Sequence, residues 1–289
     1  MDWQITSGCN RKCQYCYGPQ IEYEISTKEA FKIVDIFEEI GVKVVGITGG
    51  EPLLRTDIID IIKYIKSKNM AVCLSTNCDL YKKYRKLILE FVDAAGIPVD
   101  GSSENIHDLL KGKGNFASVM YALKDIYENS NIRFRIGTVI TTQNYFDLKN
   151  IELILSKFED KIVYWKLYEY IIYSLKSQSK SLTVEKSIYL NYIHNLGEYF
   201  PKHKIIFDTL EKRHCSYFLI KPNGDVFLPF LNKAPSDEYI VGNLLTDGPE
   251  DVVNNWKEHV DHKEYAKPYR CIFRSDEELK CRFLGCEGT

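Results

Sequence analysis

The alternation of strand-like and helix-like segments predicts an α/β fold, a partial (β/α)6 TIM-like barrel with a small α+β C-terminal extension. Three observations carry this reading. Short apolar runs alternate with longer amphipathic ones up to residue 169, the rhythm breaks at a polar loop over 174–181, and a hairpin signature follows. "DWQITS" (2–7) reads as a strand ending in a cysteine-rich loop. "TKEAFKIVDIFEEIG" (27–41) has apolar residues at helical spacing and closes on Gly41, a C-cap. "VKVVGIT" (42–48) is a strand, 56–69 a helix and "MAVCLST" (70–76) a strand. Helices near 79–92, 115–128 and 146–158 then separate strands at 95–99, 132–140 and 163–169. Six strands joined in this way imply parallel pairing with right-handed crossovers. Beyond the break, 183–199 reads as a helix, "YFLIKPNGDVFL" (217–228) as a hairpin around Pro-Asn-Gly, "YIVGNLL" as a strand and 248–260 as a helix.

The 289 residues are enough for one large α/β domain or two smaller ones, and we divide them at 1–175 and 176–289. A hydrophobic content of 45% provides for a sizeable core, and a net charge of −2 with both signs interspersed argues against a general nucleic-acid-binding surface. No apolar run reaches membrane-spanning length and no signal-peptide pattern opens the chain, so a soluble, cytoplasmic protein without membrane association is expected.

Nine cysteines require an explanation, and an odd number cannot all pair in disulfides. Cys73 and Cys78, flanking "LSTN", read as small buried hydrophobes. Cys9, Cys13 and Cys16 are different: they form C-x3-C-x2-C in the loop after the first strand. In an α/β barrel the loops at the C-terminal ends of the strands build the active site. Three thiolates from one loop suit three irons of a [4Fe–4S] cluster with the fourth iron open, or zinc with a distant fourth ligand.

The second strand ends in "ITGGEPLLR" (47–55), where adjacent glycines permit close backbone approach and Glu51 offers an acceptor. A cysteine loop of this spacing with an aromatic before its last cysteine, followed one βα unit later by Gly-Gly-Glu-Pro, resembles the radical S-adenosylmethionine (SAM) superfamily. The resemblance covers residues 2 to 170. It implies a [4Fe–4S] cluster whose open iron binds SAM, reductive cleavage to a 5′-deoxyadenosyl radical, and abstraction of a substrate hydrogen. By the same resemblance Cys9, Cys13 and Cys16 bind iron and are the catalytic centre, and Tyr15 packs near the adenine. Gly49, Gly50 and Glu51 meet the methionine amino group. Ser75 and Asn77 suit the SAM carboxylate or ribose, or else cap the next helix. Asp100 faces substrate or SAM with Ser102 a weaker candidate, Thr138 faces the ribose, and Lys166 and Leu167 lie near SAM. His107 is expected to cap or pack, and Tyr168 to sit in the core.

Cys215 before the hairpin and Cys271, Cys281 and Cys286 in the tail resemble the twitch and SPASM extensions of these enzymes. Those extensions continue from the hairpin with G-x4-C, whereas here Gly224 is followed five residues later by Pro229. The departure argues against a two-cluster SPASM domain and leaves four thiols for one auxiliary [4Fe–4S] cluster, with a four-cysteine zinc site as the alternative.

The resemblance implies modification of a peptide, or of a natural-product precursor, with a reductase, flavodoxin or ferredoxin as electron donor. Because the barrel starts at residue 2, recognition is expected to need a separate leader-peptide-binding protein or a leaderless substrate. The competing expectation is a viperin-like enzyme acting on a nucleotide or other small molecule, on the order of "DGSSENIHDLLKGKGNF", "IGTVITTQN" and "WKLYEY". In that reading Lys111 and Lys113 meet a phosphate; otherwise they belong to a solvated loop. A zinc-binding module without catalysis is the third expectation.

Overall fold

The computed structural model describes residues 1–18, 23–172, 180–229 and 238–265. It divides into two compact units, described in turn. The first comprises, among the described residues, 1–8, 18, 23–74 and 211–265. Its strands are β1 (Asp2–Gln4), β2 (Val44–Thr48), β3 (Ala71–Ser75, of which Ser75 falls in the second unit), β8 (Leu219–Ile220), β9 (Asp225–Pro229) and β10 (Glu238–Asn243). They lie in the order β10-β9-β8-β1-β2-β3, antiparallel from β10 to β8 and parallel from β8 to β3.

The parallel steps around β2 are covered by α1 (Thr27–Glu39) and α2 (Ile58–Ser67). Ser26 caps α1: its side chain accepts from the Glu29 amide while the Glu29 carboxylate accepts from the Ser26 amide, satisfying two orphan donors of the first turn. Gly41 takes a φ of +78° just past the helix, the left-handed geometry expected of it. Ile33, Val34 and Phe37 are buried, and the Phe37 ring meets Trp3 edge-on at 5.7 Å. On the hairpin side, beyond the short α8 (Leu210–Arg213), α9 (Pro249–His259) carries Trp256 into the core against Phe218.

The second unit comprises, among the described residues, 9–17, 75–172 and 180–210. Its parallel strands run in the order β4 (Ala94–Pro98), β5 (Arg133–Ile140), β6 (Ile162–Glu169), β7 (Ile205–Asp208). Strict alternation of burial along β5 shows one face turned to the helices, where Trp165 of β6 meets Phe200 edge-on at 6.3 Å. The helices are α3 (Tyr81–Phe91), α4 (Glu104–Lys111), α5 (Asn115–Asn129), α6 (Leu148–Leu155) and α7 (Lys186–His194).

The expected α/β class with mostly parallel strands is borne out. Several elements were not anticipated, α4 and β7 among them. The eight residues of α4, about two turns, are too polar in sequence to stand out, and β7 lies in a short run whose pairing with β6 is non-local. Cys73 and Cys78 are buried, as expected. Among the described residues no helix is long and apolar enough to cross a membrane.

Candidate active site

In the second unit the cysteine loop is fastened from two sides. Arg11, inside the first cysteine interval, donates Nε and Nη2 to the Asp79 carboxylate at 2.5 and 2.7 Å, and Nη1 to the carbonyls of Lys111 and Gly112 at 3.1 and 2.8 Å. A guanidinium satisfies both because its donors form a rigid fork, and the end of α4 offers unpaired carbonyls to a cation. Burial would raise the Asp79 pKa, but the Arg11 and Asn115 donors outweigh it and hold the carboxyl below its ordinary value. Asn10 donates to Asp79 at 2.9 Å and accepts from Asn77 at 2.8 Å, while Gln14 donates its amide to Leu110 O and its side chain to Leu109 O. Asn77 also accepts from the Asp79 amide at 3.0 Å, an Asx turn in place of the helix cap considered above. Asn77 Nδ2 lies 3.9 Å from Cys9 Sγ.

Behind the loop stands a buried charged group. Tyr15 donates its hydroxyl to Asp100, whose other oxygen accepts from the Val139 amide at 2.8 Å. Lys111 brings its ammonium to 4.0 Å from Asp100 and 5.5 Å from the Tyr15 ring centre. Burial, followed by the Asp100 charge, pushes the Tyr15 phenol far above its ordinary range. Burial alone would lower the Lys111 pKa, but Cys13 and Asp100 overcome it and the net shift is upward. Burial raises the Cys13 thiol pKa, opposed chiefly by Lys111. Lys111 is therefore neither in a solvated loop nor, in this arrangement, turned outward to a phosphate. The signal that would have placed it is its position four residues after His107 on the same buried face of α4.

His107 links this group to the loop after β3. Its Nδ1 accepts from the Asp100 amide at 3.1 Å, so Nε2 carries the proton and donates to Asn115 Oδ1 at 3.0 Å. Asn115 passes its own amide hydrogens to Asn77 O at 2.8 Å and Asp79 at 3.0 Å. Desolvation lowers the His107 pKa, in keeping with a neutral ring that packs, as its position in the sequence suggested.

The other candidates are distributed along the sheet. Ser75 Oγ accepts from Arg135 at 3.3 Å and crowds Gly96, where a Cβ would stand 2.5 Å from it. Ser102 donates its backbone amide and its hydroxyl to Asp147. The Thr138 hydroxyl donates to Val99 O at 2.5 Å and accepts from Trp165 Nε1 at 2.9 Å, on the helix-facing side of β5. Leu167 is buried and pairs with Thr138 in register on the neighbouring strand, while Lys166 points to the opposite face and pairs with buried Asp208 at 2.9 Å, its ammonium 5.2 Å from the Tyr168 ring. Asn10, Arg11, Asp79 and Asn115, which fasten the site, were not singled out from the sequence because each is an ordinary polar residue until the fold brings them together.

In the first unit, the glycines after β2 are required by the chain's own backbone. Gly49 has a φ of +132°, and a Cβ there would lie 2.4 Å from Thr6 O; one on Gly50 would lie 2.1 Å from Gly8 O. The approach is sealed by Gly50 N–H to Thr6 O at 2.7 Å and Glu51 N–H to Gly8 O at 2.8 Å. Buried Glu51 accepts from the Leu53 amide at 3.1 Å, capping a short 3₁₀ turn. Glu24 accepts from the Thr6 hydroxyl and, at 2.6 Å, from the Ser7 amide, so the segment entering Cys9 is held on both sides.

The three thiols fit an iron–sulfur cluster. They are soft ligands on one short loop, none is in a disulfide, and Cys9 and Cys16 raise the pKa of Cys13 while the buried Lys111 ammonium lowers it. Among the described residues no three His, Cys, Asp or Glu side chains converge as ligands of a single ion. A cubane takes its thiolates at separate iron corners, so it does not require such convergence. Cys215, in the first unit, is buried at a φ of +43° and donates its amide to the carbonyl of Pro229, the residue standing where the extension pattern has a cysteine. Cys271, Cys281 and Cys286 lie outside the described residues.

The model of the radical SAM superfamily matches residues 3–154, more than half of the chain. The chain belongs to that superfamily, whose members hold a [4Fe–4S] cluster and SAM. Among curated relatives, the AdoMet-dependent heme synthase of Oleidesulfovibrio alaskensis is 29% identical over 52% of this chain and 40% of its own length. Mycofactocin maturase MftC of Mycobacterium tuberculosis is 25% identical over 93% of this chain and 72% of its own. Streptococcus suis SuiB, solved bound to precursor peptide SuiA, superposes with a TM-score of 0.69 at 15% identity, covering 91% of this chain and 65% of that one. This likeness shows the shared fold. The chain spans about two fifths of the heme synthase and about two thirds of SuiB.

Proposed function

We propose that this protein is a radical SAM enzyme that abstracts a hydrogen atom from a peptide substrate. The observation that carries the proposal is the three-cysteine loop backed by Tyr15, Asp100 and Lys111, within the span matched by the family model. Cys9, Cys13 and Cys16 would hold the cluster, and the Gly49-Gly50-Glu51 turn, with Ser75, Asn77 and Tyr15, would hold SAM. When bound, these groups supply one-electron cleavage of SAM. This chain's residues would bind, orient and shield them: Arg11 fixes the loop against Asp79, and Tyr15, within the loop, is tied to buried Asp100. Residues 1–175 are taken as the catalytic barrel and 176–289 as the extension.

The peptide reading draws on MftC, named a maturase and aligned over nearly the whole chain, and on SuiB, solved with a precursor peptide. A flavodoxin, ferredoxin or other reductase would supply the electron, and a separate protein would present the leader. Cys215 together with Cys271, Cys281 and Cys286 would hold an auxiliary cluster, the small extension then being a twitch-like domain.

Anaerobically purified protein should be brown, absorbing near about 400 nm, with about eight irons per chain that fall to about four in a Cys9→Ala, Cys13→Ala, Cys16→Ala variant. A peptide panel and a nucleotide panel, both scored for 5′-deoxyadenosine, then distinguish the substrates. A colourless zinc protein would refute the enzyme reading, and stimulation by nucleotides alone would refute the peptide reading.

A further inference from the structure

We propose that Lys111 is a built-in counter-charge for the cluster loop, its buried ammonium favouring the electron that the cluster takes up. The inference rests on the cluster reading above. Lys111 is only 8% exposed, an uncommon situation for a lysine. Its carboxylate partner Asp100 stands at 4.0 Å, the outer edge of an ion pair, with its oxygens also engaged by the Tyr15 hydroxyl and the Val139 amide. The cysteine loop faces Lys111 as well: the ring of Tyr15, which lies between Cys13 and Cys16 in sequence, is 5.5 Å from its ammonium.

Its position is held firmly. The backbone carbonyls of Lys111 and Gly112 accept from Arg11, so the residue carrying the cation is bonded to the loop that carries the thiols. A thiolate-ligated cluster gains negative charge on reduction, and a fixed cation in a poorly solvated setting stabilises that state more than the oxidised one. Lys111 is thus a positioning charge, acting on the cluster through space.

The test is an EPR-monitored redox titration of the anaerobically purified full-length protein and of Lys111→Met, Lys111→Gln and Lys111→Arg, with iron counted in each. At a fixed potential the reduced-to-oxidised ratio of the SAM-binding cluster should fall about tenfold in the two neutral variants, a midpoint about 59 mV more negative for a one-electron couple. Lys111→Arg should stay near wild type. Loss of the cluster in the neutral variants with retention in Lys111→Arg also supports a counter-charge. A neutral variant with full iron and an unmoved midpoint overturns it. So does equal failure of all three variants, which would assign Lys111 to packing. A wild-type protein without any cluster signal refutes the cluster reading itself, a distinct result.

Discussion

Gly50→Ala tests the claim that the Gly-Gly turn is demanded by the chain's own backbone. A methyl group there would stand 2.1 Å from Gly8 O and 2.7 Å from Gly8 C, atoms of a main chain that cannot rotate away. Relieving the overlap needs a displacement of about 1 Å, which close packing resists. That movement removes two short hydrogen bonds, Gly50 to Thr6 at 2.7 Å and Glu51 to Gly8 at 2.8 Å. At about 1–3 kcal/mol for each of the two donors left unsatisfied, the expected loss is about 2–6 kcal/mol. Gly114→Ala is the control: its φ is +81°, but nothing lies within 4 Å of the added carbon. There only the left-handed conformation is penalised, by about 1–2 kcal/mol. Urea unfolding followed by circular dichroism should rank Gly50→Ala clearly below Gly114→Ala in midpoint. If the two variants unfold together, or Gly50→Ala matches wild type, the close-approach argument fails.

Three further outcomes are expected. Arg11→Met should leave the fold intact but free the cysteine loop from Asp79 and from the end of α4, so bound iron should be lost to a chelator several-fold faster than from wild type. His107 has a folded pKa below its ordinary 6.5, so its contribution is complete above about pH 6.5 and is lost as pH falls toward the folded value. Urea midpoints measured from pH 7.5 to 5 should therefore drop less steeply in His107→Gln than in wild type. Buried Glu152 accepts from the amides of Gly197, Tyr199 and Phe200 at 2.7, 3.2 and 3.2 Å, so Glu152→Ala should cost about 3 kcal/mol in the same assay, and a cost below about 1 kcal/mol would contradict that role.

Much of the fold was legible because it follows from local patterns. Helices α1, α2, α3, α5 and α9 show their apolar stripes in sequence, and β2, β3, β5 and β6 are compact apolar or alternating runs. Helix α4 escaped because eight residues with charged ends carry too short a period, and β7 because only its partner β6 makes it a strand. In the site, the spacing of Cys9, Cys13 and Cys16 and the Gly49-Gly50-Glu51 turn could be read directly, since ligand spacing and glycine geometry are local properties. Their surroundings could not.

Sequence alone determined the α/β class, the family and the loop that offers three thiols, because each is written in residues a few positions apart. Tertiary structure decided what stands against that loop. Arg11 meets Asp79 across 68 residues and Lys111 across 100, and Tyr15 meets Asp100 across 85. Tertiary structure also assigned the glycine pair a backbone to approach, Thr6 and Gly8, and gave His107 a proton on Nε2. The physical reason is one of range. Periodicity and spacing act over a turn of helix or a loop, whereas burial and electrostatics depend on neighbours that only folding brings within a few ångströms.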